Sequence, residues 1–212
     1  NSIPMTRTNA GLNANYKFED TTGRTLNVDI DYGKYYSTGK SYQPNTYYDK
    51  DEHSVISQTI FKNNTPTDIQ IYSIKSDYEQ NFLKGKIGIG VKSAIVKTDN
   101  DFKFYDVINQ VDTLNLFRSN HFKYTENVNA AYLNYSRNVG SNLSLQFGLR
   151  AEQTNSEGKL SSAIPQQDDT VKRQYLDFFP SAGITYTLNK KHSVGITYSR
   201  RIDRPSYQDL NP

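Results

Sequence analysis

Residues Leu143 to Glu152 carry the sequence LSLQFGLRAE, in which apolar residues alternate with polar or small ones. Side chains point alternately to the two faces of a β-strand, so this order places the apolar residues together on one face. The length of the stretch, about ten residues, suits a tilted strand that crosses the hydrocarbon core of a membrane. The stretch therefore predicts a β-strand with one apolar and one polar face.

The same alternation recurs along the chain and predicts about eight strands, joined as antiparallel hairpins. The predicted strands cover residues 10–18, 26–33, 69–74, 87–95, 121–137, 143–152, 178–188 and 194–198. Short connections alternate with long polar ones, and the long ones are predicted as loops at 35–67, 98–120 and 153–174. Within the first of these loops, the apolar patch at 55–61 is expected to extend a strand. A β-bulge is expected near Ala130, because both possible registers alternate there.

The order of these connections favours a membrane barrel. Outer-membrane barrels have short turns at one end and longer loops at the other. Lipid cannot satisfy backbone polar groups, so membrane strands must pair fully and close. We therefore predict an all-β fold, an antiparallel transmembrane β-barrel in the outer membrane. A soluble β-sandwich is a weaker alternative, because it has no reason to place all its long loops at one end.

Composition agrees with a barrel and excludes other classes. Hydrophobic residues make up 35% of the 212 residues and the mean hydropathy is −0.77, which a barrel tolerates because only its lipid side must be apolar. No apolar run is long enough for a membrane-spanning helix, and the N-terminus lacks a signal-peptide pattern. The 25 basic and 22 acidic residues are interspersed, unlike the clustered basic residues of nucleic-acid-binding proteins. Cysteine is absent, so disulfides play no part.

Few sequence motifs indicate catalysis or the binding of a phosphate or metal ion, and we predict neither an enzyme nor a cofactor. The stretch 85–93, GKIGIGVKS, has Val91 where a phosphate loop needs lysine, and its glycines alternate with apolar residues as in a strand. Asp99, Asp101 and His121 lie where barrel proteases carry catalytic groups, but no serine or second histidine completes the set. The three histidines are too scattered for one zinc site. Calcium binding by Asp168-Asp169, with Asp99 and Asp101, remains open.

Position along the strands also selects candidate functional residues. Four charged residues are predicted on the lumen face: Arg150, Glu152, Arg201 and Asp203. A charge facing lipid would cost about 2–4 kcal/mol at the midplane, whereas a hydrated lumen charge costs little, so an ion-pair network is favoured over a ligand site. Arg200 and Arg204 are expected near the headgroup level. Three loop tyrosines are candidates for ligand contact or for loop packing: Tyr42, Tyr47 and Tyr48.

Two runs resemble a known family. Gly148 to Thr154 resembles the G-x-R-x-E-x-T strand of the Bacteroidetes outer-membrane β-barrel family related to TonB-dependent receptors. Asp177 to Ser181 and Tyr198 to Pro212 are similar to that family's most recognisable run, and the resemblance is strongest over 132–212. The resemblance implies a larger receptor that has a barrel and an N-terminal plug and takes up substrates with energy from TonB.

The chain shows no stretch resembling a plug or TonB box, so we expect residues 1–212 to be a single-domain segment of a larger barrel. The leading hypothesis is uptake of a nutrient or chelate, with the lipid bilayer as a partner and TonB acting only through a plug outside this chain. No nucleic-acid partner is expected. The alternatives are a small closed eight-stranded barrel serving as adhesin or anchor, and an enzyme at the loop rim. The glycines of the predicted lumen face, which would fill a small barrel poorly, favour the wider one.

Overall fold

A single antiparallel sheet forms the molecule, and the computed structural model describes residues 5–51, 53–164 and 169–202 of it. The strands are β1 Met5–Glu19, β2 Thr25–Tyr48, β3 Val55–Phe82, β4 Gly85–Ile108, β5 Val111–Leu114, β6 Asn120–Val139, β7 Leu143–Ser162, β8 Thr170–Asn189 and β9 His192–Ser199. Their order in the sheet is β1-β2-β3-β4-β6-β7-β8-β9, with the short β5 paired to the far end of β4. The prediction of about eight antiparallel strands is therefore confirmed. No helix in the described part of the chain is long and apolar enough to cross a membrane.

Residues that pair in register share a face of the sheet, so each face can be followed across all strands. We call the face of Leu149 the leucine face and the face of Arg150 the arginine face. Near the short turns the leucine face is apolar on every strand, and it includes Leu12, Phe18, Leu26, Ile30, Tyr78, Ile89, Leu133, Leu149, Phe178, Ile184 and Ile196. Many of these side chains are half-exposed or more, up to 76% for Ile196. An apolar surface of this extent calls for a non-aqueous environment.

The arginine face is polar in the same region. It carries Asn15, Asp29, Lys75, Asp77, Glu79, Lys92, Tyr132, Asn134, Arg150, Glu152 and Asp177. A single layer of strands therefore separates an apolar surface from a hydrated one, as the wall of a membrane barrel does.

The strands are tilted, as the positions of the turns show. Thr25, beside the first turn, is in register with Ser181 of β8 through Glu79, Gly88, Asn134 and Gly148. β8 continues eight residues past Ser181, to Asn189, before its own turn. The two hairpins lie six strand positions apart, so the turns step by between one and two residues per strand. A strand rises about 3.3 Å per residue, and neighbouring strands lie about 4.8 Å apart. With this step, all the turns lie at one height along the barrel axis when the strands are tilted from that axis by roughly 40°, a value typical of outer-membrane barrels.

The predicted long loops are mostly strand, which corrects the sequence-based expectation. β3 has 28 residues, far more than a membrane crossing needs. Within the three predicted loops, the described residues outside strands are 49–51, 53–54, 109–110, 115–119, 163–164 and 169. The expected bulge near Ala130 is also wrong, because the pairing of β6 with both neighbours runs through Ala130 without a shift. The patch at 55–61 does extend a strand, as predicted.

The polarity of the two faces reverses toward the ends of these long strands. There the leucine face carries Lys97, Asp99, Lys123 and Lys159, whereas the arginine face carries the buried Phe104 and Phe122. A strand that has left the hydrocarbon no longer needs an apolar outer side. We infer that this end of the sheet projects beyond the membrane.

The first short turn is held by the carboxylate of Asp20. Its Oδ1 accepts hydrogen bonds from the backbone N–H groups of Arg24 and Thr22, both at 2.9 Å, and the Thr22 hydroxyl donates to it at 2.7 Å. The bond from Arg24 N–H, followed by that from the Thr22 hydroxyl, lowers the pKa of Asp20 below its usual 3.8.

This turn predicts a specific loss of stability in acid. A lowered folded-state pKa contributes stability that is present above the unfolded pKa and is lost as the pH falls through the folded value. Urea unfolding of the full-length protein in liposomes, measured between pH 6 and pH 2, should therefore show an acid-dependent loss that Asp20→Asn removes in part. Glu19→Gln, which alters only an exposed ion pair with Lys17, is the control. Identical pH profiles for Asp20→Asn and the unchanged protein would contradict this role.

Candidate functional site

A chain of polar contacts crosses the arginine face from β3 to β7. Lys75 Nζ lies 2.5 Å from Asp77 Oδ2, and the Tyr132 hydroxyl donates to the other oxygen of Asp77. The Arg150 guanidinium lies over the Tyr132 ring, 5.2 Å from its centroid, and pairs through Nε with Glu152. The contacts thus connect the charged groups of β3 and β7 through the neutral Tyr132 of β6.

Gly90 makes room for this connection. β4 runs between Asp77 on β3 and Tyr132 on β6, and Gly90 is the residue in register with both. A Cβ at Gly90 would overlap the Tyr132 ring, so only glycine lets the ring lie across β4 and reach Asp77. The glycine is therefore required by a close approach of side chain to backbone.

A second group of charges lies near β9. Arg200 pairs with Asp177 of the arginine face at 3.2 Å and donates to the Phe178 carbonyl at 2.7 Å. Its guanidinium thus reaches back along β8, and the expectation that Arg200 lies at the headgroup level stays a prediction. Arg201 lines a groove of the arginine face together with Glu79 and Lys86. Asp203, Arg204 and Asp168 lie outside the described residues.

The far end of the arginine face has a small aromatic core. The rings of Phe61 and Phe104 lie 5.4 Å apart, and the Arg118 guanidinium stacks on Phe104 at 3.7 Å from its centroid. The segment after β5 is fastened there, because Asn115 N–H donates to Phe104 O at 2.8 Å and Phe104 N–H donates to the Ser119 hydroxyl at 3.0 Å. These contacts hold the segment between β5 and β6 against β4, with Arg118 over the ring of Phe104.

The three candidate tyrosines do not form one loop platform. They all lie on β2, which ends at Tyr48, and each is about half-exposed. Tyr42 pairs with Lys62 on the leucine face, whereas Tyr47 pairs with Ser57 on the arginine face. Their placement in a loop was wrong because the strand continues through this polar segment.

The sequence did not foresee that Asp99 and His121 would meet. His121 Nε2 lies 2.5 Å from Asp99 Oδ1, with Lys123 Nζ 3.7 Å from the other carboxylate oxygen. The pair lies on the leucine face, and the second predicted carboxylate, Asp101, is paired with Lys103 at 2.9 Å. Within the described ranges no three histidines or carboxylates gather to hold a metal ion.

The main residues missed by sequence reasoning are Lys75, Asp77 and Tyr132. The two ends of the Asp77–Tyr132 contact are 55 residues apart, so only the register of three strands brings them together. One signal was present in the sequence: a glycine in the middle of a strand marks a place where another group approaches closely. Gly90 is such a residue, and its partner becomes clear only when β4 and β6 are aligned.

An antiparallel sheet with roughly 40° tilt, an exposed apolar face, a polar reverse face and short turns at one end defines the wall of an outer-membrane β-barrel. The model of the outer membrane protein beta-barrel family matches residues 16–212. The chain belongs to this family and is located in the outer membrane. No curated protein matches it in sequence.

Solved structures with a similar fold are receptor barrels. The siderophore receptor PiuA of Acinetobacter baumannii superposes with a TM-score of 0.64 at 15% identity, over 92% of this chain and 32% of the receptor. The ferric yersiniabactin uptake receptor FyuA of Yersinia pestis gives 0.63 at 10% identity, over 89% and 27%. FpvA of P. aeruginosa, solved with bound pyoverdines, gives 0.55 at 17% identity, over 89% and 26%. The chain thus spans about a third or less of these receptors and shares their fold.

Proposed function

We propose that this chain forms part of the wall of a TonB-dependent-receptor-like barrel that takes up a nutrient or chelate. The observation that carries the proposal is the open sheet: after eight tilted strands, the outer edges of β1 and β9 have no partner within the described residues. A closed barrel of eight strands would pair these two edges, and its interior would be filled by side chains. A wider barrel leaves room for a passage along the arginine face.

The parts of the wall have distinct roles in this proposal. Arg150, Glu152, Arg201 and the Asp77–Tyr132 contact line the passage and set its charge, without covalent chemistry. The projecting ends, with Tyr42, Tyr47 and Tyr48, offer surface for first contact with a ligand. Residues 1–212 form one domain, and coupling to TonB runs through a plug outside this chain. The motif at 148–154 supports a Bacteroidetes source.

Energy dependence of uptake tests this function. Cells that produce the full-length protein should accumulate at least one member of a panel of labelled iron chelates, cobalamin and oligosaccharides, and a protonophore or loss of TonB should abolish this accumulation. Cells lacking the gene provide the baseline. Accumulation that persists without TonB would contradict a TonB-coupled receptor and indicate a passive pore.

The alternative function is that of an outer-membrane adhesin or anchor, and the exposed apolar residues at the projecting tips favour it. Phe117 is 78% exposed and Ile56 69% exposed beyond the membrane zone, where a purely hydrated loop would be polar. Deletion of the gene would then reduce surface attachment while leaving the uptake of every panel member unchanged.

A further inference from the structure

Three successive arginine-face positions of β7, toward the projecting end, carry small side chains. They are Thr154, Ser156 and Gly158. A Cβ at Gly158 would lie 3.1 Å from the Phe122 ring of β6, so this ring approaches the glycine closely. The small side chains leave a shallow trough between the larger side chains of β6 and β8, and we call it the β7 trough.

Two opposite charges border the β7 trough at the same level. Glu126 of β6 is in register with Ser156, and Ser156 is in register with Arg173 of β8. Neighbouring strands lie about 4.8 Å apart, so the Cα atoms of Glu126 and Arg173 are separated by about 10 Å. Glu126 is half-buried and Arg173 is exposed. The carboxylate and the guanidinium therefore lie on opposite sides of a floor of small side chains.

Neither charge is neutralised inside the described part of the chain. Glu126 accepts one long hydrogen bond there, from the Tyr124 hydroxyl at 3.4 Å. No carboxylate of the described residues lies within ion-pair distance of Arg173. The nearest opposite charges on β7 and β8, Glu157 and Lys172, are on the leucine face and pair with each other at 3.4 Å.

The other charges of the arginine face nearby are already paired. Glu152 and Asp177 lie four residues further along β7 and β8, toward the short turns. Glu152 pairs with Arg150, and Asp177 pairs with Arg200 at 3.2 Å. The charge of the β7 trough is therefore set by Glu126 and Arg173.

Aromatic and polar groups complete the trough. Burial, followed by the charge of Glu126, raises the pKa of Tyr124 above its usual 10.0, so the phenol keeps its proton and remains a donor. Tyr175 is in register with Thr154 and also acts on Tyr124 electrostatically. Thr154 is 1% exposed, and its hydroxyl has no hydrogen-bond partner among the described residues. Such a buried, partnerless polar group costs stability.

These groups match a ligand that carries both charges. An ammonium group would satisfy the Glu126 carboxylate and could lie against the Tyr124 ring. A carboxylate would satisfy Arg173, whose guanidinium binds such a group through two parallel hydrogen bonds. A simple cation would leave Arg173 without a partner, and a simple anion would leave Glu126 without one.

We propose that the β7 trough binds a small zwitterion, with its ammonium group at Glu126 and Tyr124 and its carboxylate at Arg173. Amino acids and dipeptides belong to this chemical class. The inference rests on the proposed function in so far as the zwitterion is imported, whereas binding itself requires only the trough and its two charges.

Binding of a dipeptide to the full-length protein in a neutral detergent tests the site. L-alanyl-L-alanine is the probe, and its affinity is measured by saturation-transfer NMR. The N-acetyl derivative of this dipeptide keeps only the carboxylate, and its amide keeps only the ammonium group. The dipeptide should bind about tenfold more tightly than either derivative, because each derivative loses one charge-assisted hydrogen-bonding group.

Single substitutions separate the two ends of the site. Glu126→Gln should weaken binding of the dipeptide and of the amide by about tenfold and leave the N-acetyl derivative unchanged. Arg173→Gln should weaken the dipeptide and the N-acetyl derivative and leave the amide unchanged. The control pair Glu157→Gln and Lys172→Gln removes the same two charges from the leucine face of β7 and β8, and should bind all three compounds like the unchanged protein.

Several results would overturn the proposal. Dipeptide binding that survives both Glu126→Gln and Arg173→Gln would do so, and so would equal affinities for the dipeptide and its two derivatives. Absence of dipeptide binding would also overturn it, whatever the uptake assay shows. Dipeptide binding that follows the expected pattern, together with uptake that persists without TonB, would support the site and contradict the proposed transport function.

Discussion

Phe147→Arg is expected to destabilise the folded barrel in a bilayer by about 2–4 kcal/mol, because it places a charge at the middle of the lipid-facing zone. Phe147 is the central member of the five alternating apolar residues from Leu143 to Ala151 on β7, and it is 52% exposed. The guanidinium would have to reach the interface or draw water into the hydrocarbon. We expect a lower free energy of unfolding in urea and a smaller fraction of protein that folds into liposomes.

The neighbouring substitution Gln146→Arg is the matched control. Gln146 lies one residue away on the same strand but on the arginine face, in register with Ser136 and Gly183. A charge there is hydrated, so the change in unfolding free energy should stay within about 0.5 kcal/mol. Equal effects of the two arginines would show that the two faces of β7 have the same environment, which a membrane wall with one lipid-facing side does not allow.

Gly90→Ala is expected to destabilise the protein by about 2 kcal/mol, a large effect for one methyl group. The new Cβ would overlap the Tyr132 ring, so the ring must swing away from β4. The hydroxyl would then lose Asp77, and the ring would lose its contact with Arg150. Urea unfolding in liposomes measures the loss.

Two further variants separate this collision from a general effect of replacing glycine. Gly88→Ala changes the preceding glycine of the same face, where the nearest atom to a Cβ is Glu79 Cγ at an ordinary 3.6 Å, and should be close to neutral. In a Tyr132→Ser background, Gly90→Ala should cost much less than in the unchanged protein, because the ring is gone. A cost that stays the same in both backgrounds would rule out the proposed fit between Gly90 and Tyr132.

The sequence predicted the membrane-facing part of the sheet well and the projecting part poorly, for one physical reason. Between Leu143 and Glu152 one face meets lipid and the other water, so hydrophobicity alternates and the strand is evident. Between Tyr35 and Thr67 the outer side is also hydrated, the alternation fades, and β2 and β3 resemble a polar loop although their backbones remain paired. The bulge expected at Ala130 has a similar origin, because small residues suit either face.

The candidate site was predictable only within single strands. Arg150 and Glu152 share a face because they are two residues apart, and the structure places them on the polar side. The contact from Asp77 to Tyr132, and the return of Arg200 to Asp177, depend on which residues of separate strands are aligned. A register of this kind is set by the whole sheet, so no local pattern contains it.

The central claim is that one face of this sheet meets lipid and the other meets water. Because these 212 residues contain no cysteine, the only thiols to be replaced before labelling lie elsewhere in the full-length protein, and single cysteines at positions 145 to 150 can then each carry a spin label in liposomes. Collision with oxygen, which dissolves in lipid, and with a nickel chelate, which stays in water, then reports the surroundings of each label. We predict that the labels at 145, 147 and 149 favour oxygen and those at 146, 148 and 150 favour the chelate. Equal access of the chelate to all six positions would contradict the assignment of the leucine face to lipid.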